Sequence, residues 1–285
     1  MNDTVVVALV QMSCGEDRAA NLEKALRRAA EARAAGAELV CLQELFTGPY
    51  FPQTVDERYY SWAEPVPGPT SDRLASAAGD LGAVLVGSVF EYVQDGFFFN
   101  TALVFESDGT LLGTARKMHI PDGPGYHEKY YFTPGDTEYP VFRTSLGAIG
   151  VATCWDQWFP EVARILTLRG AELIVYPTAI GNEPQHPGYD NHGPWQTVMR
   201  GHAVANGVYV AAVNRVGAED GLTFFGRSFV ADPDGAVVAD AGGDEEILIA
   251  RLERDRLRET RNQAQFLRDR RPETYGGLLR RTLAE

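Results

Sequence analysis

Short runs of β-branched and aliphatic residues alternate along this chain with helix-patterned stretches, and that alternation constrains the fold more than any other feature. Strands separated by helices need crossover connections, which give a largely parallel sheet covered by helices, an α/β architecture. Residues 5–10 form one apolar run, residues 18–35 an alanine-rich helical pattern closed by Gly36, and residues 39–42 the next strand, leading into Gln43-Glu44. Residues 70–81 are helix-patterned behind Pro69. Residues 83–91, 100–106 and 110–117 read as a meander, with Ser107-Asp108-Gly109 as turn chemistry between the last two. Residues 148–153 predict a strand that delivers Cys154, residues 160–169 a helix opening on Pro160, and residues 173–176 a strand. Residues 195–206 are helical in pattern, 208–214 a strand, 223–232 and 236–239 a hairpin around Pro233-Asp234-Gly235, and 246–252 the last strand.

One pattern occurs twice. Gly36-Ala37-Glu38-Leu39-Val40 and Gly170-Ala171-Glu172-Leu173-Ile174 each follow a helix and start a strand. Two strand–helix–strand units that end alike suggest two similar layers packed sheet to sheet, with helices outside. The Gly- and Pro-rich stretches 47–69, 121–140 and 177–194 carry aromatics throughout, unlike linkers, and read as ordered loops over a site. With no linker or low-complexity segment, residues 1–285 are expected to form a single domain.

Charge and cysteine usage narrow the function classes. There are 39 acidic against 26 basic residues, a formal charge of −13. Such a chain repels phosphate backbones, so nucleic acid is not an expected partner, whereas a cationic small molecule is drawn to it. Cys14, Cys41 and Cys154 are too few and too scattered for a disulfide framework or a zinc site, and Cys14 and Cys41 read as packing residues. His119, His127, His186, His192 and His202 lack metal-ligating spacing and are expected on the surface or in loops. No metal or other cofactor is therefore expected. No apolar run reaches the roughly 20 residues of a membrane helix, and the N-terminus has no basic signal region, so no membrane association and a cytoplasmic location are expected. The acid run Asp244-Glu245-Glu246 and the mixed-charge stretch 251–261 read as solvated faces.

Three ionisable residues stand where predicted strands end: Glu44, Lys117 and Cys154. Strand ends are where side chains converge on a crevice in α/β sheets. Together these residues supply what acyl transfer from an amide requires. A thiolate attacks the carbonyl, a carboxylate moves protons, and a cation faces the oxyanion. Cys154 lies just upstream of the helix at Pro160, in a loop whose amides are expected to lower its pKa.

The segments Leu42-Gln43-Glu44-Leu45-Phe46, Arg116-Lys117-Met118-His119-Ile120-Pro121 and Cys154-Trp155-Asp156-Gln157-Trp158-Phe159-Pro160-Glu161 resemble the three signatures of the nitrilase superfamily, carbon–nitrogen hydrolases with a Glu-Lys-Cys triad. The resemblance runs in order from Val5 to the tail Arg271-Pro272-Glu273-Thr274-Tyr275-Gly276. It implies a four-layer αββα sandwich with Cys154 as nucleophile, Glu44 as general base and Lys117 facing the oxyanion beside the Trp155 backbone N–H. It implies for Glu128, in Tyr126-His127-Glu128-Lys129-Tyr130, the part of a second glutamate that orients Lys117 or the substrate. It also implies a homodimer or higher homo-oligomer, with a C-terminal arm at about 262–285 reaching a partner subunit.

Within the superfamily, residues 117–126, 154–161 and 176–181 are similar to members that hydrolyse the terminal ureido group of N-carbamoylputrescine. Relatives that take carbamoyl amino acids carry an arginine three residues after the nucleophile, and here that position is Gln157, which offers no charged fork to a carboxylate. A cationic ureido substrate is the expected partner instead. Glu183 is expected to take its ammonium, with Tyr50, Phe51, Trp155 and Trp158 lining the aliphatic tether. Other carbamoyl amides, plain aliphatic amides and aliphatic nitriles remain alternatives served by the same triad.

Overall fold

The computed structural model describes residues 1–182 and 185–284. The chain begins with β1 (Thr4–Gln11), α1 (Arg18–Ala34), β2 (Leu39–Leu42), α2 (Pro69–Leu81), β3 (Val84–Gln94), β4 (Phe97–Phe105) and β5 (Leu111–Arg116). A short α3 (Glu128–Tyr131) precedes β6 (Val141–Thr144), β7 (Gly147–Val151), α4 (Pro160–Leu168), β8 (Leu173–Pro177), α5 (His192–Asn206) and β9 (Tyr209–Val213). The small strands β10 (Val216–Glu219), β11 (Leu222–Phe225), β12 (Phe229–Ala231) and β13 (Val237–Asp240) follow, then β14 (Glu246–Glu253) and α6 (Arg254–Ala264).

Two six-stranded sheets result, in the orders β14-β1-β2-β3-β4-β5 and β13-β12-β9-β8-β7-β6. The central strands of each are parallel, β1-β2-β3 in one and β7-β8-β9 in the other. Side-chain alternation explains the layers. Val7, Leu9, Leu39 and Cys41 point into a core shared between the two sheets, where Ile149, Val151, Leu173 and Val175 meet them. Their neighbours Ala8, Val10, Val40 and Leu42 point the other way, under α1 and α2. On the second sheet, Ile174, Tyr176, Val210 and Ala212 pack beneath α4 and α5. The architecture is the four-layer αββα sandwich of the nitrilase type.

Local chemistry sets the helix limits. Asp17 caps α1 by accepting the Ala20 N–H at 3.0 Å, and the face α1 buries is Asn21, Ala25, Ala29 and Ala32, small residues that let the helix sit close to the sheet. Pro69 opens α2 and Gly82, left-handed at φ +59°, ends it.

Residues 223–232 do not form one strand. Gly226 (φ +67°) and Arg227 (φ +57°) turn the chain between two separate strands. β11 pairs with β10 in a two-stranded hairpin, while β12 joins β9 in the large sheet. Residues 251–261 are more than a solvated face, because they end β14 and form most of α6, which buries Leu257 and Thr260. Glu245 is likewise engaged, pairing with Lys24 and accepting from Ser13. No helix among the described residues is long and apolar enough to cross a membrane.

Candidate active site

The three predicted strand exits converge. After β2 the chain passes through buried Gln43 and Glu44 to Leu45, which is left-handed at φ +49°. A fully buried arginine holds this bend. Arg215 donates to the carbonyls of Leu45 (2.8 Å), Glu44 (3.2 Å) and Gly48 (3.0 Å), and pairs with Glu219 at 2.7 Å. Lys117 leaves β5 with its N–H on the Asn100 carbonyl and its own carbonyl accepting from Gly135, both at 2.8 Å. Cys154 begins a short 3-10 turn, Cys154–Trp158, after β7 and is also left-handed, at φ +44°.

Asp156 joins the lysine loop to the cysteine loop. Its carboxylate accepts N–H groups of Thr153 (3.2 Å), Met118 (3.3 Å) and His119 (2.9 Å), and the His119 Nδ1 lies 2.7 Å away. His119 stacks on Phe159 with ring centroids 3.7 Å apart. His202 departs from its expected surface setting, because it is buried in α5 with Nε2 2.8 Å from the Gln157 carbonyl.

At the centre the Lys117 Nζ donates to Glu44 Oε1 (2.8 Å) and to both oxygens of Glu128 (2.8 and 2.6 Å), all three side chains being buried. Burial alone would lower the Lys117 pKa, but Glu128 and Glu44 more than reverse that, so the ammonium stays charged. Burial pushes the Glu128 carboxyl up to about 7, with Lys117 pulling it down and Glu44 adding to the rise. The Tyr50 hydroxyl, kept protonated by burial and by the facing Glu128, donates to that carboxylate at 2.6 Å.

The Cys154 thiol runs against expectation. Burial pushes its pKa well up, Glu44 adds to the rise, and Lys117 only partly opposes them. Cys154 is buried although Trp155 beside it is exposed, so removal of the thiol from water outweighs the nearby amides. Among the charged neighbours Glu44 acts most strongly on this thiol. The other Glu44 oxygen, Oε2, has no hydrogen-bond partner among the described residues.

Cys154 and Glu128 border a cavity of about 450 Å³. Trp155 and Trp158 line it, and Gln157 adjoins it although its own side chain is fully buried, with Oε1 accepting from Thr178 at 3.1 Å. Loop residues Asp122, Tyr126, Ile180 and Tyr189 also line it. Tyr50 and Phe51 are not on them. Tyr50 sits behind Glu128, and Phe51 lies in an aromatic cluster, 5.2 Å from both Tyr59 and Phe90 by ring centroid. That cluster fills the loop over residues 47–69, while the other two long loops cover the cavity. Glu183 lies outside the described residues.

Four engaged residues escaped the sequence reading: Asn100, Asp156, Arg215 and Glu219. A polar residue inside an apolar strand was the visible sign for Asn100, and Asp156 stood within the cysteine motif itself.

The carbon-nitrogen hydrolase family model matches residues 6–262. The chain belongs to this family, the nitrilase superfamily. Among relatives of this hydrolase, an N-carbamoylputrescine amidase of Solanum lycopersicum is 46% identical over 98% of this chain and 96% of its own. A citrullinase of Francisella tularensis is 39% identical over 97% of this chain and 99% of its own. A carbon-nitrogen hydrolase from Helicobacter pylori G27 superposes with a TM-score of 0.93 at 38% identity, covering 98% of this chain and all of that one. The carbon–nitrogen hydrolase described here is accordingly a hydrolase acting on amides.

Proposed function

We propose that the chain hydrolyses N-carbamoylputrescine to putrescine, ammonia and carbon dioxide, a step in polyamine biosynthesis. The observation that carries this reading is the lining of the cavity beside Cys154. Among the described residues its lining holds neither Arg nor Lys, and the carboxylate not already bound to Lys117 is that of Asp122. A substrate with a distal ammonium finds an opposite charge there, whereas a carboxylate finds no cationic fork.

The chemistry follows from the cluster. The Cys154 Sγ bonds to the ureido carbon as its proton passes to Glu44. The resulting oxyanion lies against the Lys117 ammonium and the Trp155 backbone N–H, with Glu128 and its Tyr50 partner orienting Lys117. The C–N bond then breaks as Glu44 returns the proton to the departing nitrogen, leaving a carbamoyl thioester. Glu44 next deprotonates water, which adds to the thioester carbon and restores the thiol. The carbamate released loses carbon dioxide.

Trp155 and Trp158 flank the aliphatic tether, and Asp122 with Glu183 takes the distal ammonium. The enzyme works in the cytoplasm as a homodimer or larger homo-oligomer of single-domain subunits, with residues 262–285 reaching across to a partner. Steady-state ammonia release tests the substrate. The expected kcat/KM for N-carbamoylputrescine exceeds that for N-carbamoyl-β-alanine by 100-fold or more, about 2.7 kcal/mol. Asp122→Asn and Glu183→Gln should raise KM for the cationic substrate alone. A better rate with the carbamoyl amino acid overturns the reading.

A second reading is favoured by the 39%-identical citrullinase: a ureido substrate bearing both an α-ammonium and an α-carboxylate. Including citrulline in the same screen separates the two, with an aliphatic amide and an aliphatic nitrile marking the remaining members of the class.

A further inference from the structure

A fully buried asparagine touches both sides of the catalytic ion pair and has no role in the chemistry above. Asn100 lies on β4, paired with Phe90 of β3. Its Nδ2 donates to Glu44 Oε1 at 2.6 Å, and its carbonyl accepts the Lys117 N–H at 2.8 Å. Its own Oδ1 has no partner among the described residues. Burying that acceptor unpaired is unfavourable, so the position is not explained by strand packing alone.

We propose that Asn100 is the positioning residue that selects which oxygen of Glu44 works as the base. The proposal rests on the reading of Glu44 as the proton acceptor. A carboxylate turns about a broad, nearly two-fold torsion, so without a fixed donor its two oxygens exchange places. Here Oε1 is held twice, by Asn100 at 2.6 Å and Lys117 at 2.8 Å, while Oε2 has no partner. The oxygen left with open lone pairs is the one that can receive the thiol proton and later that of water. An amide suits this place. It donates without adding charge, and it has no proton of its own to lose in this pH range. Its backbone link to Lys117 also fixes the base and the oxyanion-facing cation to one strand.

The acid limb of the kcat/KM profile reads this directly. Glu44 is faced by Asn100 and Lys117 from the β4–β5 side, Glu128 from α3, Cys154 from the turn after β7, Tyr50 from its own loop and Arg215 from the strand exit after β9. Of these, Asn100→Ala changes only the donor. Removing a donor from a carboxylate favours its protonated form, so the acid limb should move up by on the order of one pH unit. The kcat should fall about tenfold or more while KM changes by less than about threefold. Asn100→Asp keeps the shape and serves if the alanine variant does not fold. Its second carboxyl faces Glu44, so its limb should move further still.

Glu44→Gln separates the two ways to fail. If that variant retains about a tenth or more of wild-type kcat/KM, the assignment of Glu44 as base falls and this inference with it. If Glu44→Gln is inactive but Asn100→Ala and Asn100→Asp leave the acid limb in place, Asn100 is only a structural residue and the inference alone is overturned.

Discussion

The two sheets repeat one plan and differ in what leaves their strands. In the first, β14, β1, β2, β3, β4 and β5 lie in the same sequence of roles as β6, β7, β8, β9, β12 and β13 in the second: an antiparallel edge, three parallel strands, then two antiparallel ones. The repeat reaches individual hydrogen bonds. Gly36 and Gly170 both have φ +98°, Ala37 and Ala171 both close the preceding helix, and Glu38 and Glu172 accept the N–H of Val6 and Ala148. Yet Glu44 follows β2, Lys117 follows β5 and Cys154 follows β7. The equivalent of β7 in the first sheet, β1, ends in Gln11 and leads to Cys14, whose thiol donates to the Phe46 carbonyl away from the cavity. The duplicated frame carries on past the strand ends, where Cys14 and Cys154 each stand three residues beyond β1 and β7, but only Cys154 borders the cavity.

Removing one group from each half gives the largest effect. Cys154→Ala and Glu44→Gln are each expected to cut kcat by about 1,000-fold or more with little change in melting temperature. Turnover of the amide substrate and a thermal melt measure this. A variant of either half that keeps near-normal turnover would confine the essential chemistry to the other half.

Glycines that admit close backbone contact come next. A Cβ at Gly135 would lie 2.5 Å from the Arg116 carbonyl oxygen and 2.9 Å from that of Lys117, and one at Gly181 would lie 2.5 Å from the Thr223 carbonyl oxygen. Either alanine substitution should destabilise by about 1–3 kcal/mol in a denaturant titration. Gly135→Ala should lower kcat more than KM because it pushes on the strand carrying Lys117. Gly181→Ala should act chiefly on KM, since it lies in the loop behind Ile180 on the cavity wall.

The smallest effect tests the repeated glutamates. Glu38→Gln and Glu172→Gln are expected to cost about 1–2 kcal/mol each, without altering kcat. Glu172 also pairs with the N-terminal ammonium. Burial would raise its pKa, but the bonds from that ammonium and from the Ala148 N–H outweigh burial and hold it below the ordinary carboxylate range. A depressed pKa contributes stability that is present above the unfolded value and lost as pH falls through the folded one. The cost of Glu172→Gln should therefore be full at neutral pH and shrink in acid. A pH-independent cost would show that the ion pair adds nothing.

Much of this frame was legible because period-two apolar runs and helix punctuation are local properties. The limits of β2 matched residue for residue, and Pro69 and Pro160 marked helix starts. Glu44, Lys117 and Cys154 were legible because each stands within two residues of the end of a predicted strand. What escaped depends on distant partners. Arg215 reaches Glu44 and Leu45 across about 170 positions of chain, and nothing near residue 215 announces that. Residues 223–232 looked like one strand because apolarity alone does not reveal a left-handed turn at Gly226 and Arg227. The Cys154 thiol was misjudged for a related reason: its proximity to a helix is written in sequence, and its enclosure is not.

The pairing of β1 with β14 over Thr4 to Gln11 and Glu253 to Glu246 has a consequence for biosynthesis. On the ribosome, β1 waits for its outer neighbour until residues 246–253 have been translated. Until then an aliphatic edge stands open to neighbouring nascent chains. Chaperone dependence should accordingly persist until β14 emerges, and a chain cut short before residue 246 should yield aggregates rather than a smaller working enzyme.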